Sequence, residues 1–146
     1  MALIRSFDHV GITVRDIDKV SQFFVSLGLE VVGRSLIEGD FIDTVIGIPD
    51  SRTEIVMLIP PGGGTTIELS SFERPAPVGG APEAPANELG LRSLAFEVND
   101  LQACVDRVTA DGYTLVGGIG TYEDAWQMAY VRGPEGLLIA LAYRVS

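Results

Sequence analysis

Basic residues and long apolar stretches are both scarce in this chain of 146 residues. Only 10 residues are Lys or Arg against 20 that are Asp or Glu, so the formal net charge is −10 and the pI is near 4.4. Such a surface repels phosphate backbones and anionic lipid headgroups, so we expect no nucleic-acid or membrane partner. No apolar run approaches the ~20 residues that a membrane-spanning helix needs. Hydrophobic residues still make up 47% of the chain, enough for a packed core.

Cysteine is nearly absent as well. Cys104 is the single cysteine, so no disulfide can form within the chain, and this composition fits a reducing cytoplasm. The opening residues MALIRSFDHV lack a long apolar stretch followed by a cleavage site, so we expect no signal peptide and a cytoplasmic location. Cys104 falls on the inner face of a predicted helix, where an inert, buried thiol is more common than a nucleophile.

An internal repeat organises the chain. When the sequence is shifted by 84 positions, residues 8–33 lie over residues 92–117, and apolar positions match between the identities. The identical pairs are Val14 with Val98, Asp16 with Asp100, Gly28 with Gly112, Val32 with Val116 and Gly33 with Gly117. A repeat of this kind indicates two copies of one structural unit.

Each copy opens with the pattern of a strand, a helix and a strand. The segments HVGITV (9–14) and SLAFEV (93–98) alternate between larger and smaller side chains, which is typical of strands. Asp16 and Asp100 stand where a helix N-cap belongs, and Gly28 and Gly112 can close the helix in a left-handed conformation. The segments LEVVGR and YTLVGG then predict returning strands.

The remainder of each copy is predicted to be all-β. The candidate strands are FIDTVIGI (41–48), EIVMLI (54–59) and TTIELSSF (65–72) in the first copy, and WQMAYV (126–131) and LLIALAY (137–143) in the second. A second offset of 72 lays Gly64 on Gly136. Residues 73–90 are rich in Pro, Gly and Ala, which favours an extended connector. We therefore predict an α+β fold of two βαβββ modules, 1–72 and 91–146, joined by that connector.

The segments DHVGITVRDIDKVSQFF, TTIEL, LAFEVNDLQACVDRV and YVRGPEG resemble the vicinal oxygen chelate superfamily, which includes glyoxalases, methylmalonyl-CoA epimerases, extradiol dioxygenases and bleomycin-resistance proteins. The resemblance covers nearly the whole chain. It implies that each module curls its sheet into half of a cup, and that paired modules, often swapped between two chains, enclose a site. We accordingly expect a homodimer, because open half-cups would expose sheet edges and apolar surface.

In metal-dependent members of that superfamily, the first and last strands of each module supply four metal ligands. The matching positions here are His9, Glu68, Ser93 and Ala140. His9 and Glu68 could ligate a divalent metal, but a neutral hydroxyl is a weak ligand and Ala140 offers no donor atom. Swapping modules leaves this set unchanged. We expect no resident metal, with a weakly bound divalent ion at His9 and Glu68 as the alternative.

The alternation of the strands also predicts a hollow cup lined by small side chains such as those of Gly11, Ser93, Ala95 and Ala140. Side chains from the later strands would form its walls, although each alone could be plain core. The wall candidates are Phe41, Met57, Tyr122, Trp126, Met128 and Tyr130, with Phe72 and the connector at the rim and Glu123 and Asp124 at the mouth.

Two classes of function follow from these residues. The first is metal-independent binding of an aromatic or apolar small molecule, as in antibiotic sequestration of the bleomycin-resistance type. The second is a glyoxalase- or epimerase-type lyase or isomerase that uses a residual metal or a His9/Glu68 acid–base pair. Such an enzyme needs a group to stabilise an enolate, and Arg92 and Arg132 are the candidates. We favour the binding function, with His9, Glu68 and Ser93 as polar contacts to the ligand.

Overall fold

A computed structural model describes residues 2–145. The chain divides into two compact units, residues 1–79 and 80–146. The boundary between the units falls inside the predicted connector. Each unit holds one sheet with one helix of ten residues, in the order that the repeat predicts. The fold is thus of the α+β class with βαβββ modules, as expected.

The first unit contains strands β1 (His9–Thr13), β2 (Glu30–Glu38), β3 (Arg52–Ile59) and β4 (Thr66–Arg74), with helices α1 (Ile17–Ser26) and α2 (Asp40–Ile46). Its sheet has the strand order β1-β4-β3-β2, in which β1 runs parallel to β4 and the other pairs are antiparallel. The hydrophobic core lies on the side of the sheet opposite the candidate metal-ligating residues His9 and Glu68. Its buried side chains include Val56, Leu58, Ile67 and Leu69, together with Val20 and Phe24 of α1.

The second unit contains strands β5 (Ser93–Glu97), β6 (Thr114–Leu115), β7 (Gly120–Tyr122), β8 (Trp126–Arg132) and β9 (Leu138–Arg144), with helix α3 (Leu101–Ala110) and a short 3₁₀ turn (Pro134–Gly136). Its strand order is β5-β9-β8-β6, β5 is parallel to β9, and β7 also pairs with β8. The strand predicted at YTLVGG is therefore only two residues long. After β6 the chain departs from its pairing with β8 at Gly117 and Gly118, and it pairs with β8 again as β7.

Both long helices begin where the repeat predicts. The carboxylate of Asp16 accepts a hydrogen bond from the backbone N–H of Lys19 at 3.0 Å, and that of Asp100 accepts one from Ala103 at 2.9 Å. Each bond satisfies an otherwise unpaired amide in the first turn of its helix. No helix in the described residues 2–145 is both long enough and apolar enough to cross a membrane.

The predicted strand at residues 41–48 is wrong, because this segment forms α2 instead. Gly39 precedes the helix and Gly47 ends it in the left-handed conformation. The Asp43 carboxylate accepts hydrogen bonds from the amides of Asp50 and Ser51, and from the Ser51 hydroxyl at 2.6 Å. The Ser51 hydroxyl bond is the main cause of the lowered pKa of Asp43. These bonds tie the helix to the loop before β3, which outweighs the strand preference of the β-branched residues.

Candidate functional site

Strand register places the predicted polar residues of the first unit on one side of its sheet. His9, Gly11 and Thr13 of β1 pair with Thr66, Glu68 and Ser70 of β4, so all six share that side. β3 adds Ile55 and Met57, which lie opposite Ser70 and Glu68. We call this side the first-unit face. The predicted wall residue Met57 therefore lies directly beside the predicted site residue Glu68.

His9 stands between two carboxylates. Its Nδ1 lies 2.6 Å from Oδ2 of Asp8, and its Nε2 lies 3.3 Å from Oε2 of Glu68. The hydrogen bond to Asp8 is the largest influence and raises the pKa of His9 above 6.5, against a smaller opposing effect of burial. The charges of Glu68 and Asp8 raise it further. The imidazole is thus oriented by one carboxylate and presented to the other.

Asp8 was not among the residues singled out from the sequence. In a regular strand, neighbouring side chains point to opposite faces, so alternation would place Asp8 away from His9. Asp8 instead precedes β1, and its carboxylate reaches the imidazole of the next residue. The only sign of this contact in the sequence was that an acidic residue directly precedes the sole histidine.

The second unit brings its predicted site residues onto one side of its own sheet. Trp126, Met128 and Tyr130 of β8 face the same way because they alternate along the strand, and Tyr122 of β7 pairs with Trp126. Ser93 lies on that side too, since β5 and β9 continue the same register. We call this side the second-unit face; it also carries Ala95, Glu97, Arg132, Leu138, Ala140, Ala142 and Arg144.

The second-unit face is closed at one end and open at the other. Leu138 and Ala140 are each only 3% exposed, so the predicted hollow does not extend over them. Met128 is 41% exposed and Ala95 and Glu97 are also exposed. At this open end, the guanidinium of Arg144 lies over the indole of Trp126, with its central carbon 5.5 Å from the ring centroid, a cation–π distance. The accessible part of this face is therefore aromatic and thioether surface beside small side chains, with the charged Glu97 and Arg144 at its open end.

Residues 80–90 are held against the rest of the second unit rather than extending freely. Arg132 donates hydrogen bonds to the carbonyls of Pro82 (3.0 Å), Ala84 (2.9 Å) and Gly136 (3.1 Å). Arg92 donates a further bond to the same Ala84 carbonyl at 3.3 Å. Ala84 is 6% exposed in an otherwise exposed segment. Both arginines considered as enolate stabilisers from the sequence thus bind this segment, which we call the tethered segment.

The remaining sequence candidates are more scattered. Phe41 lies on α2 rather than on a strand and is 78% exposed, so it does not share the first-unit face. Phe72 does share it, next to Thr53. Glu123 and Asp124 form the turn between β7 and β8, both in the left-handed conformation.

Cys104 is poorly suited to act as a nucleophile, as the sequence indicated. Burial raises the pKa of the Cys104 thiol, and the charge of Asp100 raises it further, which disfavours the nucleophilic thiolate.

The donor atoms at the four positions that the resemblance matches to metal ligands are unequal. In the first unit His9 and Glu68 offer an imidazole nitrogen and a carboxylate oxygen close together. In the second unit Ser93 offers a neutral hydroxyl, and the buried Ala140 carries no donor. Within residues 2–145, no group of three or more His, Cys, Asp or Glu side chains is arranged to hold a metal ion.

Comparison with known proteins agrees with this architecture. Residues 8–130 match the family described as the glyoxalase/bleomycin resistance protein/dioxygenase superfamily. A solved glyoxalase family protein from Bacillus cereus is 36% identical with a TM-score of 0.95, covering 100% of this chain and 99% of that one. The chain therefore belongs to the glyoxalase/bleomycin resistance protein/dioxygenase superfamily, as its resemblance to vicinal oxygen chelate proteins implied.

More distant solved structures share the fold alone. An antibiotic binding protein from a Streptomyces species is 19% identical with a TM-score of 0.65, over 99% of each chain. A fosfomycin resistance protein from Listeria monocytogenes, complexed with Mn(II) and sulfate ion, is 16% identical with a TM-score of 0.61, over 97% of this chain and 93% of that one. A search of curated proteins found no match.

Proposed function

We propose that this protein binds an aromatic or apolar small molecule without a metal, and that it sequesters a natural product or antibiotic in the cytoplasm. The observation that carries the proposal is the second-unit face, where Trp126, Met128 and Tyr130 line one side beside small side chains. Flat aromatic and flexible thioether groups beside alanines provide the apolar surface and the room that a planar guest needs.

The donor set supports metal independence. A tight site for a divalent ion needs about four protein ligands, or three plus a water. The family positions here supply an imidazole and a carboxylate, a neutral hydroxyl, and a methyl group. These residues do not fit a closed metal shell. His9, Glu68 and Ser93 are proposed as hydrogen-bonding partners of the guest.

The His9–Glu68 geometry favours one second candidate, a lyase or isomerase that uses this pair for proton transfer. The 3.3 Å separation of Nε2 and Oε2 allows a proton to be shared between the two groups. Such chemistry also needs a donor to stabilise an enolate. Arg92 and Arg132 already bind carbonyls of the tethered segment, which weighs against that role.

A homodimer is part of the proposal. β2 ends the order of its sheet, so one of its edges has no partner strand within the first unit. Val32 and Leu36 on this strand are 56% and 46% exposed. An exposed strand edge with apolar side chains is commonly covered by a partner. Sedimentation equilibrium of the purified protein tests whether it is a dimer, and a monomer at micromolar concentration would contradict this part of the proposal.

Metal content and ligand binding test the proposal directly. Metal analysis with calorimetry against Zn, Ni, Co and Mn should show no tight, stoichiometric ion; finding one would overturn metal independence. Quenching of Trp126, the single tryptophan, by a varied panel of planar aromatic compounds should detect the guest. A panel without any response would count against sequestration.

Two variants separate binding from catalysis. Trp126→Phe keeps a flat ring and should hold affinity within a few-fold, whereas Trp126→Ala should lower it by about tenfold or more, read by calorimetry. His9→Ala should weaken binding only modestly. Turnover of a hemithioacetal or acyl-thioester substrate that is abolished in His9→Ala would instead support the enzyme candidate.

A further inference from the structure

The tethered segment lies at one end of the second-unit face. Arg132, Leu138 and Ser93 form one row across that face, because Arg132 pairs with Leu138 and Leu138 pairs with Ser93. The guanidinium of Arg132 donates to the carbonyls of Pro82 at 3.0 Å and Ala84 at 2.9 Å. These two carbonyls are therefore held at the row of Arg132, which is the closed end of the face.

The segment also packs closely at this end. Ala84 is 6% exposed, although the residues on either side of it are exposed. A Cβ on Gly136, in the turn that precedes β9, would overlap the backbone of Pro82. The absence of a side chain at Gly136 thus lets the Pro82 backbone approach the turn. Residues 82–84 are fixed both by the bonds from Arg132 and by this close approach.

The internal repeat offers a comparison within the same chain. The offset of 72 aligns three positions at this end of each sheet, Gly64 with Gly136, Thr66 with Leu138 and Glu68 with Ala140. Thr66 and Glu68 are only half-buried, and a Cβ on Gly64 would meet open space. Leu138 and Ala140 are 3% exposed. The end of the face is thus covered in the unit that carries the tethered segment and is more accessible in the other unit.

The covered rows limit the length of the open surface. Ala140 lies in the row of Tyr130 and is 3% exposed. Met128, in the next row away from Arg132, is 41% exposed. The open surface therefore begins at the row of Met128 and continues to that of Trp126. Successive rows on one side of a sheet lie about 7 Å apart, which is close to the length of two fused aromatic rings.

We propose that residues 82–84 form an end wall of the guest site, and that Arg132 limits the length of the guest by holding this end wall in place. The guest is then a compact aromatic molecule of two fused rings, because a longer ring system would meet the end wall instead of Leu138 and Ala140. Arg132 is thus a positioning residue that acts on the guest through the end wall. The inference rests on the proposed small-molecule binding and narrows the class of guest by its size.

Two probes that differ by one fused ring, 2-naphthalenemethanol and 2-anthracenemethanol, test the inference by equilibrium dialysis. The wild-type protein should bind both within about threefold, because the third ring finds no apolar surface beyond the open rows. Arg132→Gln and Gly136→Ala should each raise the preference for the longer probe about tenfold, since release of the end wall lets that ring bury more apolar surface. Gly64→Ala and Arg107→Gln, at an open turn and on α3, are the matched controls and should leave the preference unchanged.

Two further measurements make each outcome decisive. Thermolysin cleavage within residues 80–90 reports whether a variant releases the segment, and near-UV circular dichroism of Trp126 reports whether it folds. Faster cleavage without a change in preference would overturn the inference, as would a tenfold preference for the longer probe in the wild-type protein. Unchanged cleavage in both variants would show that Arg132 does not hold the end wall, and would overturn it too. Arg132→Gln and Gly136→Ala remove different contacts, so either one decides if the other does not fold.

Failure of the inference and failure of the proposed function give different results. If the wild-type protein binds neither probe nor any aromatic of the Trp126 panel, the proposed function itself fails. If it binds the shorter probe and the variants keep the same preference, only the end wall is rejected.

Discussion

The imidazole Nε2 of His9 lies 3.3 Å from the carboxylate Oε2 of Glu68, while the other imidazole nitrogen is held by Asp8. His9 lies on β1 and Glu68 on β4, and 58 residues (10–67) lie between them in the sequence. Parallel pairing of β1 with β4 produces this proximity. The pair lies on the first-unit face, and the protonation of His9 can be measured because the protein has one histidine.

We expect the pKa of His9 to lie above 6.5 in the folded protein, chiefly because of the Asp8 hydrogen bond. A raised pKa means that folding favours protonated His9. The resulting stabilisation is complete below pH 6.5 and is lost as the pH rises through the higher folded-state pKa. Titration of the single imidazole by NMR measures the value. Asp8→Asn should lower it, and a pKa at or below 6.5 in the wild-type protein would contradict this account.

Gly136 and Gly64 are repeat equivalents that should respond differently to alanine. Both have positive φ, +79° and +96°, so either substitution should lower the free energy of unfolding by about 1 kcal/mol. A Cβ on Gly64 would meet open space, whereas a Cβ on Gly136 would overlap the backbone of Pro82 in the tethered segment. Gly136→Ala should therefore cost about 3 kcal/mol in total. Equal losses in urea unfolding would show that Pro82 does not approach Gly136.

Removal of the Arg132 guanidinium should release the tethered segment. Arg132→Gln loses the bonds to Pro82 and Ala84, so thermolysin should cleave within residues 80–90 several-fold faster, as expected for a segment freed from its contacts. Exposed Leu89 offers a cleavage site there. Arg107→Gln, on the last turn of α3, is the matched control and should leave the rate unchanged. Equal cleavage rates for Arg132→Gln and the wild-type protein would mean that other contacts hold the segment.

Substitutions in the turn between β7 and β8 should increase the stability of the protein. Glu123 and Asp124 have φ of 51° and 53°, and Ala125 N–H donates to the Tyr122 carbonyl at 3.0 Å, so both central residues of this β-turn lie in the left-handed region that Asn and Gly adopt most readily. Glu123→Asn with Asp124→Gly should raise the free energy of unfolding by about 1–2 kcal/mol. Asp111→Gly, at a residue with φ of −81°, should lower it instead. A double variant less stable than the wild-type protein would argue against this turn geometry.

Local patterns explain which parts of the fold could be predicted from the sequence. Alternation, the capping aspartates and the closing glycines are properties of a few neighbouring residues, and they correctly located β1, α1, β5 and α3. The segment at 41–48 misled the prediction because its β-branched residues favour a strand. Its flanking glycines, Gly39 and Gly47, were the local signal for a helix. Asp43, which holds that helix to Ser51 eight residues later, could not be recognised as an anchor from spacing alone.

The sequence by itself determined the repeat, the βαβββ order and which side chains share a face, because strand alternation and helix caps depend on near neighbours. Its resemblance to the family predicted that His9, Glu68, Ser93 and Ala140 stand at metal-ligand positions, which stays a prediction. Only the tertiary structure showed that Asp8 orients His9, that Arg132 and Arg92 tether residues near Ala84, and that no group in residues 2–145 pairs with the buried Thr53 hydroxyl. Apart from the contact between the neighbours Asp8 and His9, these features depend on which residues far apart in the sequence meet once the strands have paired.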